Sequence, residues 1–275
     1  MQVKAEILKN RITVKFEDLK YKNQKALIPF ITAGYPDWKG YLRLFHLLED
    51  CGADIIEIGV PFSDPLADGP VIQKASKIAL DRGTDTDMVL DSVKTFRKKS
   101  IVPVAILSYF NILYRYGLEK FFKKATECGV DGLIIPDLPL EEFYAFRDYF
   151  RQSSIANIML ASLTTVTERL IKIAGISRGF LYCISVKGVT GARNNIDYEV
   201  KKFLMQLRKI TDLPLALGFG ISNLDQIREV KEYCDGIIIG SKLLSIIMDS
   251  LNIEAGLTEA AVFLKDLNSE LKNLK

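Results

Sequence analysis

The chain has 275 residues, 48% of them hydrophobic and 26% charged, enough for one large core or at most two modest ones. Its 37 basic and 34 acidic side chains leave a formal charge of only +3, scattered rather than gathered on one face, which argues against nucleic acid as a partner. A single histidine, His46, rules out a His-rich metal cluster, and the four cysteines include no CxxC pair.

The opening residues, MQVKAEILKNR, lack the long apolar core of a signal peptide, and no run reaches the ~18 residues of a membrane span. Cys51, Cys128, Cys183 and Cys234 sit beside or within apolar runs and read as reduced, buried thiols. The expectation is a cytoplasmic protein without a membrane segment.

Along the chain, residues 13–22 (TVKFEDLKYK) predict a short helix with Phe16 and Leu19 turned to the core. Eight short apolar runs follow, at 26–32, 54–60, 102–108, 131–137, 155–161, 179–185, 213–219 and 235–241. They are continuous rather than alternating, as a parallel sheet buried on both faces requires. Between them, segments such as YLRLFHLLEDCGA and LEKFFKKATECGV place apolar residues at i, i+3, i+4 and i+7, one face of a helix. An internal echo, CGADIIEIG, CGVDGLIIPD and YCDGIIIG, joins helix ends punctuated by glycine to the strands after them. No linker divides the chain. Eight β-then-α units predict an α/β fold, a (β/α)₈ TIM barrel in one domain with an extra N-terminal helix. A helical tail occupies 251–275, with Leu257, Ala261, Leu264, Leu267, Leu271 and Leu274 on one stripe and a surface-coating role.

In such a barrel the site is built after the carboxyl ends of the strands. Glu57 interrupts the second run, flanked by Ile56 and Ile58. Burying an ionised carboxylate costs several kcal/mol or forces its pKa upward, so Glu57 either pairs with a lysine or arginine across the barrel or is tuned towards neutrality for proton transfer. The loop PFSDPLADGP then carries Asp64 and Asp68 between prolines; each reads as a turn or cap residue or, for Asp68, as an acid returned over the barrel mouth. Three glycine-bearing stretches, KGVTGAR (187–193), GFGIS (218–222) and GSK (240–242), follow the last three strands and bring backbone N–H groups together as an anion cradle for a phosphorylated small substrate. Neither GxGxxG nor GxxxxGK[ST] is present, and no metal-ligand spacing is seen.

EIGVPFSDPLADGP, with GVTG, GFGIS and the terminal GS, resembles the tryptophan synthase alpha chain family over residues 12–250. The resemblance implies a lyase that cleaves indole-3-glycerol phosphate to indole and glyceraldehyde 3-phosphate without a metal. By the same resemblance Glu57 is the general acid and base, Asp68 engages the indole N–H, and Tyr182 lies near Glu57. Phe30, Leu107, Ile134 and Phe219 line the indole pocket, while Gly191, Gly220, Gly240 and Ser241 hold the phosphate. Thr190 closes over Asp68. It further implies no cofactor in this chain, and a beta chain carrying pyridoxal phosphate as partner in an alpha2beta2 heterotetramer. Two rival readings stand beside it: a Schiff-base aldolase using Lys187, and a catalytically silent barrel that binds and activates the beta chain.

Overall fold

The computed structural model describes residues 10–184, 198–218 and 221–273. Strands β1 (Ala26–Thr32), β2 (Ile56–Gly59), β3 (Val104–Leu107), β4 (Gly132–Ile134), β5 (Ala156–Ile158), β6 (Leu160–Ser162), β7 (Leu181–Ile184), β8 (Leu215–Gly218) and β9 (Gly236–Ile239) pair in the order β5-β4-β3-β2-β1-β9-β8-β7-β6. The pairs are parallel. The two end strands, β5 and β6, are halves of a single apolar run broken at Met159, so the ladder returns to the segment it left and the barrel closes. At the break the Met159 N–H donates to Ser177 Oγ at 3.2 Å, and the Met159 carbonyl accepts the Tyr182 N–H at 3.0 Å. The eight predicted runs therefore yield nine strands: the fifth changes neighbours halfway along, as strand stagger in a barrel demands.

The helices are α1 (Arg11–Tyr21), α2 (Trp38–Asp50), α3 (Pro70–Asp81), α4 (Thr86–Arg97), α5 (Phe110–Tyr116), α6 (Leu118–Cys128), α7 (Leu140–Gln152), α8 (Thr167–Ile176), α9 (Tyr198–Ile210), α10 (Leu224–Val230), α11 (Ser241–Asp249) and α12 (Ile253–Lys272). Amphipathic spacing forms them: in α6, Phe121, Phe122, Ala125 and Cys128 are the buried stripe, and the helix stops at Gly129 in the left-handed region. Among the described residues no helix is long and apolar enough to cross a membrane.

Helix α1 begins two residues earlier than the sequence suggests, because the Asn10 side chain accepts the Ile12 N–H at 2.9 Å and caps it. Phe16 and Leu19 are buried as expected, and Ile12 joins them as the plug of the barrel base. A Cβ on Gly132 would stand 2.8 Å from Ile12 Cδ1, and one on Gly179 3.2 Å from Ile12 Cγ2, so both glycines make room for that plug. Helix α12 starts at Ile253 and buries Leu257, Leu264, Leu267 and Leu271 of the predicted stripe, with Ala260 in place of the half-buried Ala261. Leu274 lies outside the described residues.

The sequence echo has two physical bases: left-handed glycines, Gly52 and Gly129, follow the helix ends in its first two copies, and an aspartate precedes the strand in all three. Asp54 lies two residues before β2, and Asp131 and Asp235 stand immediately before β4 and β9. Each accepts the backbone N–H of a neighbouring strand: Leu27 at 2.8 Å, Val104 at 2.7 Å and Leu215 at 2.8 Å. Each also returns its own N–H to the carbonyl of that same residue, at 2.9, 2.8 and 2.8 Å. A cation neutralises every one: Lys272 for Asp54, Arg97 for Asp131 and Arg208 for Asp235. These reciprocal clamps pin register at the barrel's lower rim, opposite the site.

Candidate active site

Register determines which side chains meet inside the barrel. Phe30 stands opposite Glu57, and Glu57 opposite Ala105; one step towards the mouth, Thr32 stands opposite Gly59, Gly59 opposite Leu107, and Leu107 opposite Ile134. The Phe30 ring occupies the space a side chain on Gly59 would need, 2.5 Å from a Cβ there, and also covers Gly240, at 3.1 Å. Phe30, Glu57 and Gly59 thus share a face, and the Ile12 plug against Gly132, lower in the same row, identifies that face as the barrel interior.

Glu57 is fully buried, and neither carboxyl oxygen has a hydrogen-bond partner among the described residues. Among the described residues, no cross-barrel lysine or arginine retains it. Desolvation, reinforced by the charge of Asp68, raises its pKa to about 8. The carboxyl is held protonated at neutral pH.

Asp64 and Asp68 separate cleanly. Asp64 is exposed and accepts from Ser63 Oγ within the turn, an ordinary loop role. Asp68 is half-buried, with its N–H on the Pro65 carbonyl at 3.1 Å and its carbonyl accepting Gln73 Nε2 at 2.9 Å. Gly69 and Pro70 then open α3, proline standing where a missing N–H leaves no bond unmade. Burial lifts the Asp68 pKa to about 6, and a hydrogen bond from the Tyr109 hydroxyl opposes the rise. Asp68 therefore remains largely ionised at pH 7, one step below Glu57. Two carboxyls whose environments push their pKa values apart are the arrangement that divides acid from base roles.

Tyr182, on β7, is buried, with its ring in the space that Gly218 leaves open, 2.5 Å from a Cβ there. Burial, with the charges of Glu57 and Asp68, drives its pKa well above the usual tyrosine value, so it keeps its proton. Phe30 and Ile134 are buried and Leu107 half-buried, bringing three predicted wall residues to one interior surface with Glu57. Gly240 is the N-cap of α11 and Ser241 its first residue; no side chain caps the helix, so its first N–H groups have no intrahelical partners. Thr190, Gly191, Phe219 and Gly220, and with them Lys187, lie outside the described residues.

Sequence reasoning missed Tyr109. It is buried, stands directly beyond β3, accepts the Ala67 N–H on its hydroxyl at 3.0 Å and packs its ring 5.1 Å from that of Phe62. It thus fixes the Asp68 loop by backbone and side chain together. The available signal was positional: a tyrosine two residues after a strand end in VAILSY, at the face where barrel chemistry is built.

Comparison with known proteins agrees with this geometry. The family model described as tryptophan synthase alpha chain matches residues 16–273. The tryptophan synthase alpha chain of Alkaliphilus metalliredigens is 43% identical over 265 residues, spanning 96% of this chain and 99% of that one. The one from Arabidopsis thaliana is 40% identical over 257 residues, spanning 93% and 94%. Among solved structures, tryptophan synthase subunit alpha from Legionella pneumophila superposes with a TM-score of 0.88 at 35% identity, covering 96% of this chain and 99% of that one. The match reaches through α12, beyond the residue 250 limit of the motif resemblance. With a barrel of this topology, a buried acid in β2 and an acid on the following loop, the chain belongs to the tryptophan synthase alpha chain family.

Proposed function

We propose that this chain is an indole-3-glycerol phosphate lyase that splits its substrate into indole and glyceraldehyde 3-phosphate by carboxyl acid and base catalysis. The observation that carries the reading is Glu57: fully buried, unpaired among the described residues, and holding its proton to about pH 8. Protonated Glu57 delivers its proton to the ring carbon that bears the glycerol chain. Positive charge spreads to the ring nitrogen, where ionised Asp68 accepts the N–H and stabilises it. The Glu57 carboxylate then takes the proton of the adjacent chain hydroxyl. The carbon–carbon electron pair returns to the ring, the hydroxyl carbon becomes the aldehyde, and Glu57 regains its starting state. Phe30, Leu107 and Ile134 provide the apolar wall for the indole ring, joined by Phe219. The phosphate is placed on main-chain N–H groups of Gly191, Gly220, Gly240 and Ser241, and Thr190 closes over Asp68. Tyr182, held protonated, packs beside the carboxyl pair and fixes its walls.

A beta chain carrying pyridoxal phosphate is the partner this reading assigns, in an alpha2beta2 heterotetramer. In support, the segments that follow strands bear exposed Leu66, Tyr114, Val166 and Tyr198, a scatter of apolar side chains around the mouth. The four buried, unpaired thiols support a reducing, cytoplasmic location. Indole release from indole-3-glycerol phosphate, measured for the chain alone and with the beta chain, tests the proposal. Expected are slow release alone, faster release in the complex, and loss in both for Glu57→Gln. A silent activator would release none in either state while stimulating the beta chain. Borohydride labelling with substrate present would point instead to Lys187.

A further inference from the structure

Thr32 closes β1 and is buried, yet its hydroxyl has no hydrogen-bond partner among the described residues. Both oxygens of Glu57 share that condition. These three atoms stand on adjoining strands and on one face, because Thr32 pairs with Gly59, two residues beyond Glu57. The other unpartnered buried atoms among the described residues are Arg11 Nε, 3.2 Å from Asp131 at the barrel base, and Asn268 Oδ1 on α12. Unsatisfied buried polar atoms are rare and unfavourable, and a valine would fill the same strand position without that penalty. Three together at the mouth side of the interior form an incomplete hydrogen-bond set that a polar ligand completes. Thr32 is also β-branched on a strand, so the direction of its hydroxyl is held before any ligand arrives.

We infer that Thr32 is a further substrate-contacting residue: its hydroxyl donates to the oxygen of the chain hydroxyl beside the bond that breaks, and turns that hydroxyl towards Glu57. The inference rests on the retro-aldol reading of Glu57 and deepens it. During the step the substrate's O–H proton passes to the Glu57 carboxylate while Thr32 keeps its own proton. The same oxygen accepts from Thr32 first as a hydroxyl and then as the aldehyde, so the contact persists as the carbon–carbon bond opens. Leu107 and Ile134, in the same register row, then place the apolar ring beside this polar corner.

Thr32→Val and Thr32→Ser, assayed in complex with the beta chain and melted as the full chain, test it. For Thr32→Val the hydroxyl contact predicts indole release slower by about tenfold or more, with a melting temperature equal to or above wild type. Thr32→Ser recovers most of the rate. A hydroxyl needed only for folding gives the opposite stability result, so Thr32→Val that melts lower or does not fold overturns the inference, as does Thr32→Val with wild-type turnover. A wild-type complex that releases no indole removes the retro-aldol reading itself. An active wild type with an equally active Thr32→Val removes only the role of Thr32.

Discussion

Glu57 is held in the folded chain at a free-energy cost, and the cost has a pH signature. Its proton is retained to about pH 8 when folded but released near the ordinary glutamate value of 4.5 when unfolded. Between those values the folded state binds the extra proton, so stability falls as pH rises. Glu57→Gln removes the titration and keeps the shape. It is expected to be more stable than wild type near pH 8 by about 2–4 kcal/mol in urea unfolding, and to lose turnover by about 10²–10⁴. In the proposed mechanism Asp68 acts ionised and Glu57 protonated, so kcat/KM for indole release is expected to follow a bell with limbs near about 6 and about 8. Asp68→Asn removes the acidic limb along with most of the rate; an unchanged acidic limb would assign it to another group. Glu57 was legible in the sequence because a carboxyl inside an apolar run demands a reason. Tyr109 and Thr32 were not, since a tyrosine beside a strand reads as core and a threonine in a strand reads as β propensity. Only the hydrogen-bond state of each hydroxyl, supplied by the fold, separates those readings.

At the scale of elements, the barrel is pinned from below and open above. Asp131 is the most densely used of the three rim aspartates, with Arg97, Arg11 and the Val104 N–H on its carboxylate and the Asn10 side chain on its carbonyl at 2.7 Å. Asp131→Ala strands a largely buried guanidinium and a strand N–H, and is expected to cost about 3–5 kcal/mol in urea unfolding. A loss below about 1 kcal/mol would show that the clamp does not hold the register. The apolar runs and the helical spacing were readable because each strand is buried on both faces and each helix on one. The split of the fifth run was not, because Met159 differs from its neighbours only in which strand it bonds. The echo was visible as a string, but what all three copies share lay in the aspartate side chains: YCDG has no glycine at a helix end, and α10 stops at Val230 with Lys231 still in the right-handed helical region.

For the molecule as a whole, the lower end is plugged by Ile12 of α1, and the end of α12 is tied there through Lys272, which bonds Asp54 at 2.6 Å and the Lys25 carbonyl at 2.9 Å. That leaves the mouth as the face on which the proposed function places both substrate and partner. Tyr114, exposed on α5, carries no catalytic role, so Tyr114→Asp is expected to leave indole release by the isolated chain unchanged while weakening its stimulation by the beta chain about tenfold in half-saturating concentration. Equal stimulation would place the partner elsewhere. Family membership was legible from one long motif, whereas the depth of Glu57 was not, since burial at one position depends on every strand that surrounds it.

The claim on which the chemistry turns is that a carboxyl at residue 57 stays neutral in a protein at neutral pH. Infrared difference spectra between wild type and Glu57→Gln, recorded across a pH titration, read that carboxyl directly. A protonated carboxyl band present at pH 7 and lost with a midpoint near the value of about 8 is the predicted result. A carboxylate band already complete at pH 6 would contradict it.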